Sequence, residues 1–320
     1  MKEAILVTGG YGFIGFAFIK YFKNLYKNQY DIINVDSCTY AADFLLDEKK
    51  HVLDELNVKS FCFDISSDEA AIDEIVKRNN VKYIVNFAAE SHVDNSIKCP
   101  DIFIRTNVLG TQNLLDIAKR HDIRFHQIST DEVYGSVDPY KDVVTEEFKY
   151  NPSSPYSSSK AAADLICLSY YKTFGTKVTI SRCTNNYGAY QHPEKLIPLV
   201  ISKAKHDEKI PVYGNGLQMR NWIYVDDHCD AICKILFNGD LGEIYNVGSA
   251  TLETNIDVVK EILKQLDCSE DLIEYVKDRP AHDFAYHLNS MKIESQLNWH
   301  QETDFALGIK KTIDFYRERV

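Results

Sequence analysis

Short runs of β-branched and aromatic residues alternate with longer amphipathic stretches through the N-terminal half of the chain. Ala4–Thr8, Ile32–Val35, Ser60–Phe63, Tyr83–Phe87 and Arg124–Ser129 read as strands. Gly12–Tyr26, Asp68–Asn79 and Ile102–Arg120 carry apolar residues at helical spacing and read as helices between them. Strands that alternate with helices form a parallel sheet covered by helices on both faces. A longer helix is expected after Pro155, over Ser157 to Tyr171, and a sixth strand over Lys177–Arg182.

Beyond that strand the rhythm changes. Asn185–Tyr190 and Tyr213–Gly216 are rich in turn residues. Amphipathic stretches return at Glu194–Ala204, Val225–Phe237 and Ile256–Leu266, with no repeat, low-complexity tract or linker between them. The expectation is one large α/β lobe, residues 1–183 with about 223–248, interleaved with a smaller α/β lobe, about 184–222 with 249–320. A chain of 320 residues with 45% hydrophobic content can bury a core in both.

Charge and cysteine content narrow the partners. A formal net charge of -11 repels phosphate backbones, so nucleic acid is not an expected partner. No apolar run approaches the roughly 18 residues of a membrane helix, and no signal peptide is recognisable. The eight cysteines form no Cys-x-x-Cys pair, so no metal site is expected. These features together predict a cytoplasmic protein whose thiols are buried as small hydrophobes.

The first strand runs into Thr8-Gly9-Gly10-Tyr11-Gly12-Phe13-Ile14-Gly15, a Gly-x-x-Gly-x-x-Gly spacing between strand and helix. Gly9 permits the tight turn, Gly12 lets backbone approach a pyrophosphate, and Gly15 allows close helix packing. The helix N-terminus behind them offers free N–H groups and a partial positive charge. Asp36 ends the second strand about 20 residues further on, where a carboxylate can hold ribose hydroxyls and would repel a 2′-phosphate. The fold class is therefore a Rossmann-type doubly wound parallel sheet, and the expected cofactor is NAD. Asp64-Ile65 and Ala88-Ala89 follow the third and fourth strands, at the edge where such sheets bind ligands. Taken alone, these are ordinary loop residues.

Tyr156-Ser157-Ser158-Ser159-Lys160 puts a phenol and an ammonium four residues apart on one helix face. A nearby ammonium and a positive nicotinamide ring would both favour the phenolate, making Tyr156 a base for a sugar hydroxyl. Thr130-Asp131-Glu132 follows the fifth strand. Neighbouring strand side chains point to opposite faces, so the two carboxylates can share a substrate only if the chain leaves extended geometry there. Otherwise they are a solvated acidic turn.

At this point the chain resembles the dTDP-glucose 4,6-dehydratase family of extended short-chain dehydrogenases. The resemblance rests on TGGYGFIG (8–15), NFAAESHVD (86–94), STDEVYG (129–135), PSSPYSSSKAAAD (152–164), NNYG (185–188), PEKLIPLV (193–200), QMRNWIYVDDH (218–228), YNVG (245–248), NIDVV (255–259) and DRPAHD (278–283). It implies a hydro-lyase that oxidises a nucleotide-sugar at carbon 4, eliminates water across carbons 5 and 6, and reduces carbon 6. Tyr156 with Lys160 would take the carbon-4 hydroxyl proton, Thr130 would bond the carbon-4 oxygen, Glu132 would remove the carbon-5 proton, and Asp131 would protonate the departing hydroxyl.

The resemblance also assigns binding residues. Phe13, Ile14, Phe87, Thr106 and Ser129 would join the glycines, Asp36, Asp64, Ile65, Ala88 and Ala89 around NAD. Ser91, His92, Asn185, Glu194, Lys195 and Leu196 would lie near sugar and phosphates. Pro211, Tyr213, Arg220, Asn255, Arg279, His282 and Tyr286 would take the diphosphate and nucleoside; an arginine fork meets phosphate oxygens in two bonds. A homodimer through Ile102–Arg120 and Ser157–Tyr171 is implied too, although the same apolar stripes can face the chain's own core. The sequence departs from the family pattern at Asn95, Ala189, Asn221 and Ala281, and lacks two arginines before Tyr286. dTDP-glucose is the leading expected substrate; UDP-glucose 4,6-dehydratases resemble the Asn95 form, so UDP-glucose and UDP-N-acetylhexosamine are the alternatives. A UDP-hexose 4-epimerase would use Tyr156 and Lys160 without the carboxylate pair.

Overall fold

The computed structural model describes residues 2–249, 251–278 and 283–319. Seven strands form the main sheet in the order β10-β6-β5-β4-β1-β2-β3. They are β1 (Ala4–Thr8), β2 (Asp31–Asp36), β3 (Lys59–Cys62), β4 (Val81–Asn86), β5 (Arg124–Thr130), β6 (Val178–Cys183) and β10 (Ile244–Val247). Every pairing is parallel. Strand order reverses between β1 and β4, and that switch point opens a crevice beyond their carboxyl ends.

Both faces of the sheet are covered, which is why its strands read as continuous apolar runs. Glu69–Arg78, Thr111–Arg120 and Pro155–Phe174 bury Ile72, Leu114, Ile117 and Cys167 on one face. Phe13–Tyr26 and Val225–Asn238 bury Phe16, Ile19, Phe22, Ile232 and Leu236 on the other. The smaller lobe pairs β11 (Leu252–Thr254), β9 (Met219–Tyr224) and β7 (Asn185–Tyr187), with β12 (Ile273–Val276) beside β8 (Ile210–Tyr213). Its core joins Tyr187, Val200, Trp222, Val259, Ile262, Ile309 and Tyr316. The chain crosses between lobes repeatedly, because β9 runs straight into the helix Val225–Asn238.

Several expectations are corrected. β10 adds a seventh strand that was not read from the pattern. Asn185–Tyr187 is a short strand and not part of a turn, because it pairs in parallel with β9, and that pairing overrides the low strand preference of Asn. The helix expected over Ile102–Arg120 starts at Pro100 and is wound wide between Ile104 and Gly110. Only Cys167, Cys183, Cys229 and Cys233 are buried; Cys62 and Cys99 are exposed, and no cysteine is in a disulfide. Among the described residues no helix is long and apolar enough to cross a membrane. No cluster among them could hold a metal ion.

Candidate active site

A continuous trough runs over the carboxyl ends of β1, β2, β4, β5 and β6. Its two halves share Gly9, Gly12, Ala41, Phe87 and Ala89. One half is lined by Asp36, Asp64, Ile65, Ala88 and Thr106; the other by Ser91, Ser129, Thr130, Asp131, Glu132, Tyr156, Lys160, Asn185, Glu194 and Lys195.

The glycine turn fits a dinucleotide. Gly9 has φ +72°, and a Cβ there would lie 2.7 Å from the Ala88 nitrogen. At Gly15 a Cβ would lie 2.3 Å from the Gly9 carbonyl oxygen, so the helix can start this close only without a side chain. Gly12 has a single neighbour within reach, the Gly9 carbonyl, and its open side faces the trough. The helix behind it has no side-chain cap and no acidic residue in its first turn, leaving N–H groups for an anion. Asp36 ends β2 and accepts from the amides of Tyr11 at 2.9 Å and Cys38 at 2.8 Å. Burial raises its pKa despite those bonds. Asp64 caps its own turn, accepting from the amide and hydroxyl of Ser66.

At the other half the chain leaves extended geometry as soon as β5 ends. Asp131–Tyr134 is a 3₁₀ turn closed by Gly135 at φ +72°, so both carboxylates line the same trough. Thr130 Oγ1 accepts from the Glu132 amide at 3.3 Å and donates to Asp131 Oδ1 at 3.2 Å. Asp131 Oδ2 is buried without a partner. Burial, helped by the Glu132 charge, pushes the Asp131 pKa up to about 8.

Tyr156 and Lys160 enter on the helix Pro155–Phe174. Ser154 and Ser157 form a reciprocal cap at its start, with Pro155 in the first turn. Asn107, in the wide turn of the neighbouring helix, donates to Ser159 Oγ at 2.8 Å and to the Glu90 carbonyl at 3.0 Å. It thereby ties the loop after β4 to the helix that carries Tyr156 and Lys160. Lys160 Nζ donates to the Ile128 carbonyl at 2.7 Å, and Tyr156 is hydrogen-bonded to the Thr130 side chain. The expected depression of the Tyr156 pKa is not found. Burial raises it well above its ordinary value, and the Glu132 carboxylate adds to that. The Lys160 ammonium is engaged by Ile128.

The rim carries His92, whose Nε2 lies 3.4 Å from Glu194, and Lys195, 3.7 Å from the same carboxylate. Leu196, Pro211, Tyr213, Arg220, Asn255 and Tyr286 belong to the smaller lobe and do not line the trough. Arg220 donates to the carbonyls of Met219, Asp283 and Phe284 and stacks on Tyr286 at 4.3 Å, so its fork is already engaged. Arg279 and His282 lie outside the described residues. Tyr40, Arg105, Gln191 and His192 line the trough although no motif marked them, and Glu90 lines it although it was given no role within the motif at 86–94. Tyr40 and Glu90 follow β2 and β4 closely, and the rule that ligands meet the carboxyl ends of strands could have found them.

Residues 6–312 match the family model described as GDP-mannose 4,6 dehydratase. The dTDP-glucose 4,6-dehydratase of Haemophilus influenzae is 40% identical, over 98% of this chain and 97% of its own length. A crystal structure of dTDP-glucose 4,6-dehydratase from Bacillus anthracis in complex with NAD superposes with a TM-score of 0.91 at 42% identity, covering 99% of this chain and 97% of that one. DesIV, the dTDP-glucose 4,6-dehydratase of Streptomyces venezuelae with NAD and TYD bound, gives 0.92 at 39% identity, again over 99% and 97%. Similarity of this extent, with the glycine turn, the Thr-Asp-Glu turn and the Tyr–Lys helix around one trough, shows that the chain belongs to the dTDP-glucose 4,6-dehydratase family of NAD-dependent hydro-lyases.

Proposed function

We propose that this protein converts dTDP-glucose to its 4-keto-6-deoxy product, with NAD held along the glycine turn and Asp36. The observation that carries the reading is the buried Asp131, its pKa pushed up to about 8 by burial, beside Glu132 in the trough that also holds Tyr156 and Lys160. Bound NAD would supply hydride acceptance at carbon 4 and hydride return at carbon 6. Tyr156 takes the carbon-4 hydroxyl proton once a phenolate forms; burial opposes that state, and the Lys160 ammonium with the cationic nicotinamide ring favours it. Thr130 holds the carbon-4 oxygen. The 4-keto group acidifies carbon 5, Glu132 removes the carbon-5 proton, and Asp131 gives its proton to the carbon-6 hydroxyl as it leaves as water. An acid and a base side by side need environments that separate their proton affinities, and the burial of Asp131 provides one.

The lobes are assigned on the same reading: 1–183 with about 223–248 for NAD, about 184–222 with 249–320 for the nucleotide-sugar. The expected outer substrate grip, Pro211, Tyr213, Arg220, Asn255 and Tyr286 within it, would come to the ligand from the smaller lobe. Eight free cysteines accord with a cytoplasmic setting. A homodimer is supported by exposed Ile104, Leu109 and Leu165 on the paired helices.

The test is to mix purified protein with dTDP-glucose, UDP-glucose and UDP-N-acetylglucosamine separately and weigh the products. Loss of water from dTDP-glucose, in preference to the UDP sugars, is expected. Asp131→Asn should still oxidise carbon 4 and accumulate absorbance at the reduced-cofactor band, with little 6-deoxy product. Isomerisation without mass change would replace this reading by a 4-epimerase. Wild-type product formation by both Asp131→Asn and Glu132→Gln would reduce the carboxylates to a solvated turn.

A further inference from the structure

Arg182 is fully buried near the end of β6, one residue before Cys183 lines the trough. Its Nε donates to Asp164 Oδ2 at 2.9 Å, and both side chains are completely shielded from solvent. Its Nη1 donates to the Tyr134 hydroxyl at 2.7 Å, and its Nη2 donates to the Tyr150 hydroxyl. The guanidinium lies between the two rings, 4.7 Å from Tyr134 and 4.5 Å from Tyr150. Tyr134 then donates to Asn246 Oδ1 at 2.9 Å on β10.

The partners' positions matter more than their number. Asp164 stands on the stripe of Tyr156 and Lys160, one helical turn after Lys160. Tyr134 is the last residue of the turn that carries Asp131 and Glu132. One rigid, planar cation therefore joins the element that bears the oxidation pair to the element that bears the elimination pair. A buried ion pair of this kind is weak support for stability, because desolvation offsets most of its attraction, and an apolar pair of similar size often serves as well. Asp164 Oδ1 is buried without a partner, which a purely structural pair would not favour.

We propose that Arg182 and Asp164 are positioning residues for the reaction: Arg182 fixes the separation of the Tyr156–Lys160 helix from the Asp131–Glu132 turn, and Asp164 supplies the anion that faces Lys160 from the next turn of its helix. The inference rests on the roles given above to those two pairs. Lys160 is faced by Asp164 and Cys167 on its own helix, by Cys183 on β6 and by the Ile128 carbonyl on β5. Burial lowers its pKa, and Asp164 is the strongest influence holding it up. Losing that anion lets Lys160 give up its proton at lower pH.

Three variants of the NAD-loaded enzyme test this. Arg182→Lys keeps the charge and loses the planar fork. It should lower kcat on the order of 10²-fold, the cost of small misplacements at a reacting centre, with KM little changed. Reduced cofactor should also build up in steady state, since oxidation would outrun elimination. Asp164→Asn should move the midpoint of Lys160 acylation by acetic anhydride, followed by peptide mass across pH, to lower pH; that readout needs no turnover. The double variant Arg182→Met with Asp164→Leu should melt close to wild type and still show the kinetic defect. Wild-type partition between the two half-reactions in the folded double variant, or an unmoved Lys160 midpoint in Asp164→Asn, overturns the proposal. If wild-type protein itself eliminates no water from any nucleotide-sugar, the functional reading fails instead, and the Lys160 midpoint still decides the role of Asp164.

Discussion

Asp131 is placed to serve as an acid by where β5 stops. The strand ends at Thr130, the turn folds the carboxyl inward, and burial, helped by Glu132, pushes its pKa up to about 8. A group whose pKa is raised in the folded enzyme donates below that value and is lost as a donor above it. Product formation should therefore hold level through neutral pH and fall as pH rises through about 8, with reduced cofactor accumulating on the alkaline side. Recording both signals across pH checks this; a limb that survives in Asp131→Asn would belong to another group. The triplet and the Tyr156–Lys160 spacing were legible because each sits beside its own structural marker, a strand end and a Pro155 helix start. The requirement that the chain leave extended geometry after Thr130 was readable as a condition, and the structure meets it. His192 was not legible, since it reaches the trough through contacts to Asp43 at 3.3 Å and Glu194 at 3.8 Å that depend on long-range packing. The raised pKa of Tyr156 was missed for the same reason: helical spacing shows a nearby ammonium but not the burial around the phenol.

The helix Pro155–Phe174 shows how an element delivers such residues. Its cap is reciprocal: Ser154 Oγ accepts from the Ser157 amide at 3.1 Å, and Ser157 Oγ accepts from the Ser154 amide at 2.9 Å. Tyr156 and Lys160 lie in the first two turns, where fraying is most damaging. Ser154→Ala should cost about 1 kcal/mol, the usual effect of losing an N-cap hydroxyl. A lower urea midpoint with an unchanged slope is the expected result; an unchanged midpoint would mean that packing alone sets the start of the helix. Elements with a clear start signal like this one were readable to within a few residues. Leu46–Glu55 was not, because its buried positions are Leu53 and a lysine. Lys49 donates to the carbonyls of Tyr11 and Ala42, so a side chain whose charge suggests a solvent-facing position is fixed inside the fold. β10 was missed because it is only four residues long, and its place in the sheet depends on pairing with β6.

At the scale of the whole molecule, the helices that build the site also expose large apolar side chains. Ile104 and Leu165 are each about half exposed, and Leu109 and Ile97 are exposed near them in the chain. On the helix Pro155–Phe174, the outward stripe carries Ser158, Ala162, Leu165 and Ser169, small residues around one large apolar side chain. Contiguous apolar surface on a monomer marks an interaction site more often than chance would. A self-complementary contact between two helix pairs would cover it with a second copy, the commonest closed symmetry. The opposite sides of the same helices carry Tyr156, Lys160 and Asn107, so loss of that contact should loosen the site as well as split the dimer. Wild-type protein should elute with light scattering at twice the 36.7 kDa chain mass. Leu165→Glu combined with Ile104→Glu places like charges in the contact and should give a folded monomer with reduced turnover. A wild-type monomer, or a double variant that stays dimeric, would show that these helices face solvent and that the dimer, if formed, uses another surface.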